Sequence, residues 1–234
     1  MSGQNPILKK LDLLYPNVTC ALDFAGPFQL LVATILSAQC TDKRVNIVTP
    51  VLFAKFGTVE KMASARITEI ENIIRSTGFY HNKAKNILGA AKMLVKKFHG
   101  NVPRTMKEIL ELPGVARKTA NVVLSVAYGI QDGIAVDTHV MRLSGRLGLS
   151  DKKTPEKIEQ DLLKIIPRKK WGRFSLQLIQ HGRLVCMAKS PLCGDCTLNK
   201  ICPSAFLYSK KVPQKRSSRR SRDTLGVKLH SKKR

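Results

Sequence analysis

Acidic residues are scarce in this chain. Across 234 residues, 16 Asp and Glu stand against 41 Lys and Arg, giving a formal charge of +25. Residues 210–234 hold 11 Lys/Arg and one Asp and contribute +10, which leaves +15 on residues 1–209. A surplus of that size in the body points to a polyanionic partner, most simply nucleic acid. Long apolar runs are also missing. No stretch reaches the roughly 18 residues of a spanning helix, and Met1 to Lys10 has no long apolar segment of the secretory kind. The expectation is an intracellular protein without a membrane partner, whose thiols are reduced. Clustered cysteines then suggest metal rather than disulfides. Strand-like alternation is absent too, which leaves an all-α fold.

What is present has a helical period. Ala84, Ile87, Leu88, Ala91, Leu94, Val95 and Phe98 follow i, i+3, i+4, i+7 spacing and predict one face of a long amphipathic helix. Ile158, Leu162, Ile165 and Ile166 predict another, starting at Thr154-Pro155 with a capping residue and a proline at the first helical position. Ile70, Ile73 and Ile74 mark a third, closed by Gly78. Pro27–Ala38 is mostly apolar and reads as a buried helix, as does Thr119–Ala127, which lacks a polar face. Gly129 to Gly133 breaks the pattern and could divide the chain. After Ser209, basic pairs spaced by Ser, Pro, Gln and Thr cannot bury enough apolar surface to order themselves.

Only two cysteines, Cys20 and Cys40, lie outside one C-terminal cluster and read as ordinary free thiols. The cluster is Cys186-x6-Cys193-x2-Cys196-x5-Cys202. Four thiolates within 17 residues can wrap one inorganic centre. Structural zinc sites favour two short Cys-x2-4-Cys knuckles, and only Cys193 and Cys196 form one. The wider loops favour an iron–sulfur centre over zinc. Lys189 lies inside the cluster's first loop. It is either a phosphate contact presented by that loop or a solvated lysine.

A second constellation begins at Leu112-Pro113-Gly114-Val115-Ala116-Arg117-Lys118. A Pro-Gly turn between two helical patterns leaves unpaired N–H groups at the start of the second helix, where a DNA phosphate could bind. On its own the turn reads first as a tight helix–helix connection with no ligand. Lys118 falls in the first helical turn, where the positive end of the helix dipole disfavours a cation. A lysine so placed suits a Schiff-base nucleophile, although on the residues alone a surface lysine reaching phosphate is the simpler reading. Nineteen residues later, apolar Ile134-Ala135-Val136 delivers Asp137, which could act on a sugar, cap the following helix, or do both. His139 reads as a structural histidine.

Taken together, the chain resembles the endonuclease III family, bifunctional DNA glycosylases of the helix-hairpin-helix superfamily. The resemblance runs from about Leu11 to about Pro203. It is carried by Leu36-Ser37-Ala38-Gln39-Cys40-Thr41-Asp42, Gly78-Phe79-Tyr80, Leu112 through Asn121, Val136-Asp137-Thr138-His139, His181-Gly182-Arg183 and the four cysteines. It implies two helical lobes with DNA across the cleft between them. A six-helix lobe would span residues 20–130, with the helix-hairpin-helix at about 106–128. A second lobe would combine 1–19 with 131–206, and a basic tail would follow at 207–234. The resemblance further implies one 4Fe–4S cluster on Cys186, Cys193, Cys196 and Cys202; the expected partner is double-stranded DNA with a damaged pyrimidine or an abasic site, and the expected state is a monomer. It implies Lys118 as nucleophile, Asp137 as its electrostatic partner, and removal of oxidised pyrimidines with β-elimination of the abasic strand. Gln39 would fill the gap left by the flipped base, and Phe79 would wedge into the opposite strand. Gly114, Val115, Ala116, Arg117 and Lys189 would contact DNA. From the residues alone, Phe79 reads as a core aromatic.

Three departures stand out. Ala116 replaces a glycine common in the family hairpin and would cost about 1 kcal/mol if that position needed positive φ. Phe79 is bulkier than the leucine often found there. The lysine-to-aspartate interval is one residue longer, which Gln131-Asp132-Gly133 could absorb. Two other readings compete: a monofunctional adenine glycosylase, which would lack Lys118, and a DNA-binding or redox-sensing protein, which would not need the Lys118–Asp137 pair. The compartment expected is a bacterial cytoplasm, although the tail's basic pairs could also serve as a nuclear signal.

Overall fold

The structure is a computed structural model that describes residues 5–208. Among these residues there are helices and turns but no strand. The expected basic tail lies outside the described residues from 209 onward.

The helices in chain order are α1 (Pro6–Leu14), α2 (Pro27–Leu36), α3 (Asp42–Phe56), α4 (Val59–Ala63), α5 (Ile67–Ile74), α6 (Tyr80–Phe98), α7 (Met106–Ile109), α8 (Arg117–Tyr128), α9 (Thr138–Arg146), α10 (Pro155–Ile165) and α11 (Trp171–Leu184). Their starts follow local chemistry. Proline occupies the first turn of α1, α2 and α10, where its missing N–H is no loss. Thr41, Thr58 and Thr105 cap α3, α4 and α7 by accepting N–H bonds. Thr154 holds the N-cap position of α10, as expected, but its side chain makes no capping bond.

Two hydrophobic cores form. The first takes Leu30, Leu31 and Leu36 from α2, with Leu52, Met62, Ile70, Ile87, Leu94 and Leu124 from the helices around it. Helix α2 is buried from Leu30 through Leu36, so it runs through the middle of this core. The second core joins Leu8 and Leu11 of α1 to Ile134, Val140, Leu143, Leu162, Phe174 and Leu178. Each such fully buried side chain contributes about 1.5–3 kcal/mol. Helix α1 is tied there by polar bonds as well: Gln177 Nε2 donates to Leu11 O at 3.3 Å and Lys170 Nζ to Asp12 at 2.6 Å.

Two residues expected on buried faces are not buried. Val95 and Ile165 are each 41 % exposed. Each sits in the last turn of its helix, beside a buried neighbour (Leu94 or Ile166) that takes the inward position.

Candidate active site

The segment between α7 and α8 is a tight hairpin set by Gly114. Its φ is +79°, and a Cβ there would lie 2.7 Å from Asn86 Cβ on α6, so glycine meets both the torsion and the close approach. Ala116 adopts φ −93° and ψ 170°, ordinary extended backbone, so the strain that alanine threatened does not arise. The first backbone bond of α8 runs from Ala120 N to Ala116 O, leaving the amides of its opening turn for an external acceptor.

Lys118 is exposed in that opening turn. It lines a cavity of about 510 Å³ together with Asp137, Gln39, His139, Cys20 and Cys40. The cavity lies between the two cores: Lys118 and Gln39 come from the first, and Asp137 from the segment leading into the second. The two cysteines read as ordinary free thiols therefore sit at the cleft, half-buried.

Asp137 is the N-cap of α9. Its Oδ1 accepts from His139 N and Val140 N, both at 2.8 Å, while Oδ2 lies 3.1 Å from His139 Nδ1. The carboxylate is therefore fixed in orientation, and its side chain retains 14 % exposure into the cavity. Capping and catalysis are compatible because one oxygen serves the backbone and the other is left beside the imidazole. His139, read from the sequence as structural, is half-buried beside the Asp137 carboxylate and also lines the cavity.

Glu159 on α10 links the hairpin to the Asp137 segment. Its side chain is only 5 % exposed. It accepts from Arg117 Nε at 2.7 Å, Arg117 Nη2 at 3.1 Å, Asn121 Nδ2 at 3.0 Å and Ile134 N at 3.1 Å. Its bond to Arg117 pushes the guanidinium pKa above the usual arginine range. A Cβ on Gly133 would approach Glu159 Oε1 to 2.1 Å, so the chain can pass this carboxylate only as glycine.

Gln39 and Phe79 are both exposed and both left-handed, with φ of 53° and 49°. Phe79 is 64 % exposed, so it is not the core aromatic its residue type suggests. It is the N-cap of α6, directly after Gly78.

Farther along α9, two arginines hold the cysteine loop. Arg142 Nη2 donates to Gly182 O at 3.0 Å and Cys186 O at 3.1 Å. Arg146 Nη1 lies 3.3 Å from Cys186 Sγ and donates to Met187 O at 2.7 Å. All four clustered cysteines line one small cavity, half-buried and without disulfides. Burial pushes the Cys196 and Cys202 thiols up, and the neighbouring cysteines push them further. His181, kept neutral by a burial that drops its pKa to about 4, sits 2.9 Å from Tyr15 Oη and 3.6 Å from Cys196 Sγ. Lys189 is exposed on the loop between Cys186 and Cys193.

Residues 32–168 match the HhH-GPD superfamily of base excision DNA repair proteins. Endonuclease III of Synechocystis is 58 % identical over 199 residues, covering 85 % of this chain and 91 % of that protein. Endonuclease III of Escherichia coli K12 is 38 % identical over 206 residues, covering 88 % and 95 %. A solved structure of a trapped endonuclease III–DNA covalent intermediate superposes with a TM-score of 0.82 at 44 % identity, over 88 % of this chain and 98 % of that one. The chain belongs to the endonuclease III family.

As an endonuclease III family member it is a base excision repair DNA glycosylase and abasic-site lyase. Of the hairpin residues expected at DNA in this endonuclease III fold, one is turned inward and one is ion-paired. Val115 is buried at 8 % exposure in the first core, and its N–H donates to Leu112 O at 3.1 Å. Neither its side chain nor its amide is open to phosphate. Arg117 gives its Nε and one Nη2 hydrogen to Glu159, while its side chain stays 40 % exposed with further N–H donors facing outward. Gly114, Ala116 and Lys118 remain exposed. The family motif His181-Gly182-Arg183 finds its reason here too: His181 packs at the cysteine cavity, and Arg183 pairs with Asp42 at the start of α3. Glu159, Arg142 and Arg146 were invisible as site residues in the sequence. Each is a charged residue on an amphipathic helix, where solvated side chains are the ordinary expectation.

Proposed function

We propose that Lys118 and Asp137 perform the glycosylase and lyase chemistry on oxidised pyrimidines in double-stranded DNA. The observation that carries this reading is that both side chains line one cavity between the two cores, with the Asp137 carboxylate held in a fixed orientation. The lobes are residues 20–130 and residues 1–19 with 131–206, and a duplex lies across their junction with one nucleotide turned out into the cavity.

In the first step the Lys118 amine attacks C1′, and the glycosidic electron pair leaves with the base. Asp137 stabilises the positive charge developing on the sugar and assists removal of the amine's proton. Ring opening gives the Schiff base on Lys118. Loss of a C2′ proton then expels the 3′ phosphate, which cleaves the strand by β-elimination. Gln39 occupies the space of the displaced nucleotide and Phe79 enters opposite it. The amides near Gly114 and Ala116 receive a backbone phosphate.

Cys186, Cys193, Cys196 and Cys202 are the residues that would hold a 4Fe–4S cluster. Their fit is supported by the donor set: four thiols line one cavity, and burial together with the neighbouring cysteines pushes the Cys196 and Cys202 thiols up, so a cationic centre is called for to hold them as thiolates. The wide loops from Cys186 to Cys193 and from Cys196 to Cys202 suit a centre larger than a single zinc ion. When bound, such a cluster supplies a rigid cross-link. The chain's own arginines, Arg142 and Arg146, orient the loop that presents Lys189 to phosphate. The protein acts as a monomer in a bacterial cytoplasm. No helix among the described residues is long and apolar enough to cross a membrane.

The test is a duplex with one thymine glycol, comparing the wild type with Lys118→Ala. The wild type releases the base and cleaves the strand; Lys118→Ala binds the duplex but forms no borohydride-trapped adduct. Strand cleavage by Lys118→Ala at the wild-type rate would refute the assignment. Base release without cleavage by the wild type would favour a monofunctional enzyme.

A further inference from the structure

Among the described residues, two of the five non-glycine positions with positive φ are Gln39 and Phe79, and one buried ammonium joins the ends of the helices that precede them. Lys83, on α6, is 5 % exposed. Lysine is almost never this buried unless it is paired. Here the pairing is with backbone: Nζ donates to Leu36 O and to Thr77 O, both at 2.8 Å. Leu36 is the last residue of α2, and Thr77 is the last residue of the 3-10 turn Arg75–Thr77. Both carbonyls therefore lie at helix C-termini, where unpaired oxygens and the negative end of the dipole favour a cation.

The chain runs three residues from Leu36 to Gln39 and two from Thr77 to Phe79. Left-handed conformations at non-glycine residues are strained and persist where the surroundings over-determine them. Lys83 belongs to those surroundings for both loops at once. Its own N–H also donates to Phe79 O at 3.1 Å, so backbone and side chain of one residue grip the Phe79 turn. Thr77 Oγ1 bonds back to Ile74 O at 2.8 Å, and Ser37 Oγ to Thr34 O at 2.8 Å, which stiffens the chain on either side of the ammonium.

We propose that Lys83 is the positioning residue that holds the Gln39 and Phe79 loops at a fixed separation and thereby sets how sharply the protein distinguishes damaged from undamaged duplex. This rests on the reading that both side chains enter the duplex. With the strut in place the two side chains arrive as one rigid pair, and the ordering of the loops is complete before DNA binds. Without it each loop must be ordered during insertion, and that loss falls on the complex in which a nucleotide is displaced. Binding to intact duplex, which needs no insertion, is affected far less. Lys83 touches neither the sugar nor Lys118 and acts only through the loops.

The test uses the full chain and compares Lys83→Met and Lys83→Gln with a Gln39→Ala/Phe79→Ala double variant. Two quantities are read: the ratio of Kd for undamaged duplex to Kd for a duplex with a tetrahydrofuran abasic analogue, and the fluorescence rise of a 2-aminopurine opposite the analogue. Lys83→Met is expected to lower the ratio tenfold or more and to remove most of the fluorescence rise. Lys83→Arg, which can still donate to both carbonyls, is expected to recover at least half of each. In the double-variant background, Lys83→Gln should cause no further loss. Should Lys83→Met fail to fold by circular dichroism, Lys83→Gln, which keeps one amide donor, carries the comparison. A wild-type ratio in a folded Lys83 variant, beside a defective double variant, overturns the strut. So does an undiminished further loss in the double-variant background, because the residue would then act elsewhere. A double variant that keeps the wild-type ratio overturns the insertion reading itself, and the strut with it.

Discussion

Replacing Glu159 by Gln removes one negative charge from a place where four N–H groups converge. The carboxylate accepts two bonds from Arg117, one from Asn121 and one from Ile134 N. A glutamine can keep its oxygen toward Asn121 and Ile134, which turns its NH₂ toward the guanidinium, donor against donor. Breaking a buried ion pair costs about 3–5 kcal/mol when the surviving partner stays buried. The Arg117 side chain is 40 % exposed and can turn to water, which lowers the cost to about 3 kcal/mol. For a chain of this size that corresponds to a fall in Tm of about 6–12 °C. Thermal unfolding followed by circular dichroism reads it directly. Activity should fall more than stability explains, because Glu159 joins the residue before Lys118 to the segment that ends at Asp137. Single-turnover base release at a temperature where the variant is folded should slow by about tenfold, as small displacements of catalytic groups do. A Tm within about 2 °C of wild type, with an unchanged rate, would refute the account of this carboxylate as the joint between hairpin and aspartate.

Asp137→Asn keeps an effective N-cap, so stability should change by less than about 1 kcal/mol, while base release slows by on the order of 10²-fold through the lost charge; equal losses in both would mean that Asp137 is only a cap. Phe79→Gly removes a left-handed side chain that is 64 % exposed, so urea unfolding should show equal or greater stability, by up to about 1 kcal/mol, while discrimination of damaged duplex falls. Cys202→Ser should lose the broad visible absorption of an iron–sulfur centre after purification, and retention of it would remove Cys202 from the ligand set. Deleting residues 210–234 should flatten the dependence of log K on log salt by about 0.9 for each DNA phosphate that the tail neutralises, and an unchanged slope would mean that the tail neutralises none.

The sequence made the helices legible where periodicity and an opening proline agreed, as in α10 with its Thr154-Pro155 start and in the mostly apolar α2 that begins at Pro27. The hairpin was legible for the same reason, since Pro113-Gly114 can be read from torsional chemistry alone. Gly114 proved to need both its positive φ and its missing Cβ. The cysteine spacing and the Lys118–Asp137 pair were readable as chemistry, and their convergence on two cavities needed the fold. What stayed hidden depended on long-range packing. Helix α1 joins the second core across about 160 residues of chain, through bonds such as Lys170 to Asp12. Glu159 and Lys83 look like solvated charges on amphipathic helices until the donors or carbonyls around them are known. Val115 and Arg117 carry the family motif, yet one is buried and the other is ion-paired, because the hairpin must pack before it can bind. Phe79 went the opposite way: an aromatic that composition sends to the core is held outside by a left-handed turn.

The most direct measurement is the location of the covalent adduct. The wild-type protein is trapped with borohydride on a duplex carrying one thymine glycol, digested, and the modified peptide identified by mass spectrometry. The account predicts a single reduced adduct on Lys118. An adduct on another lysine or on the N-terminal amine, in fully folded protein, would contradict it.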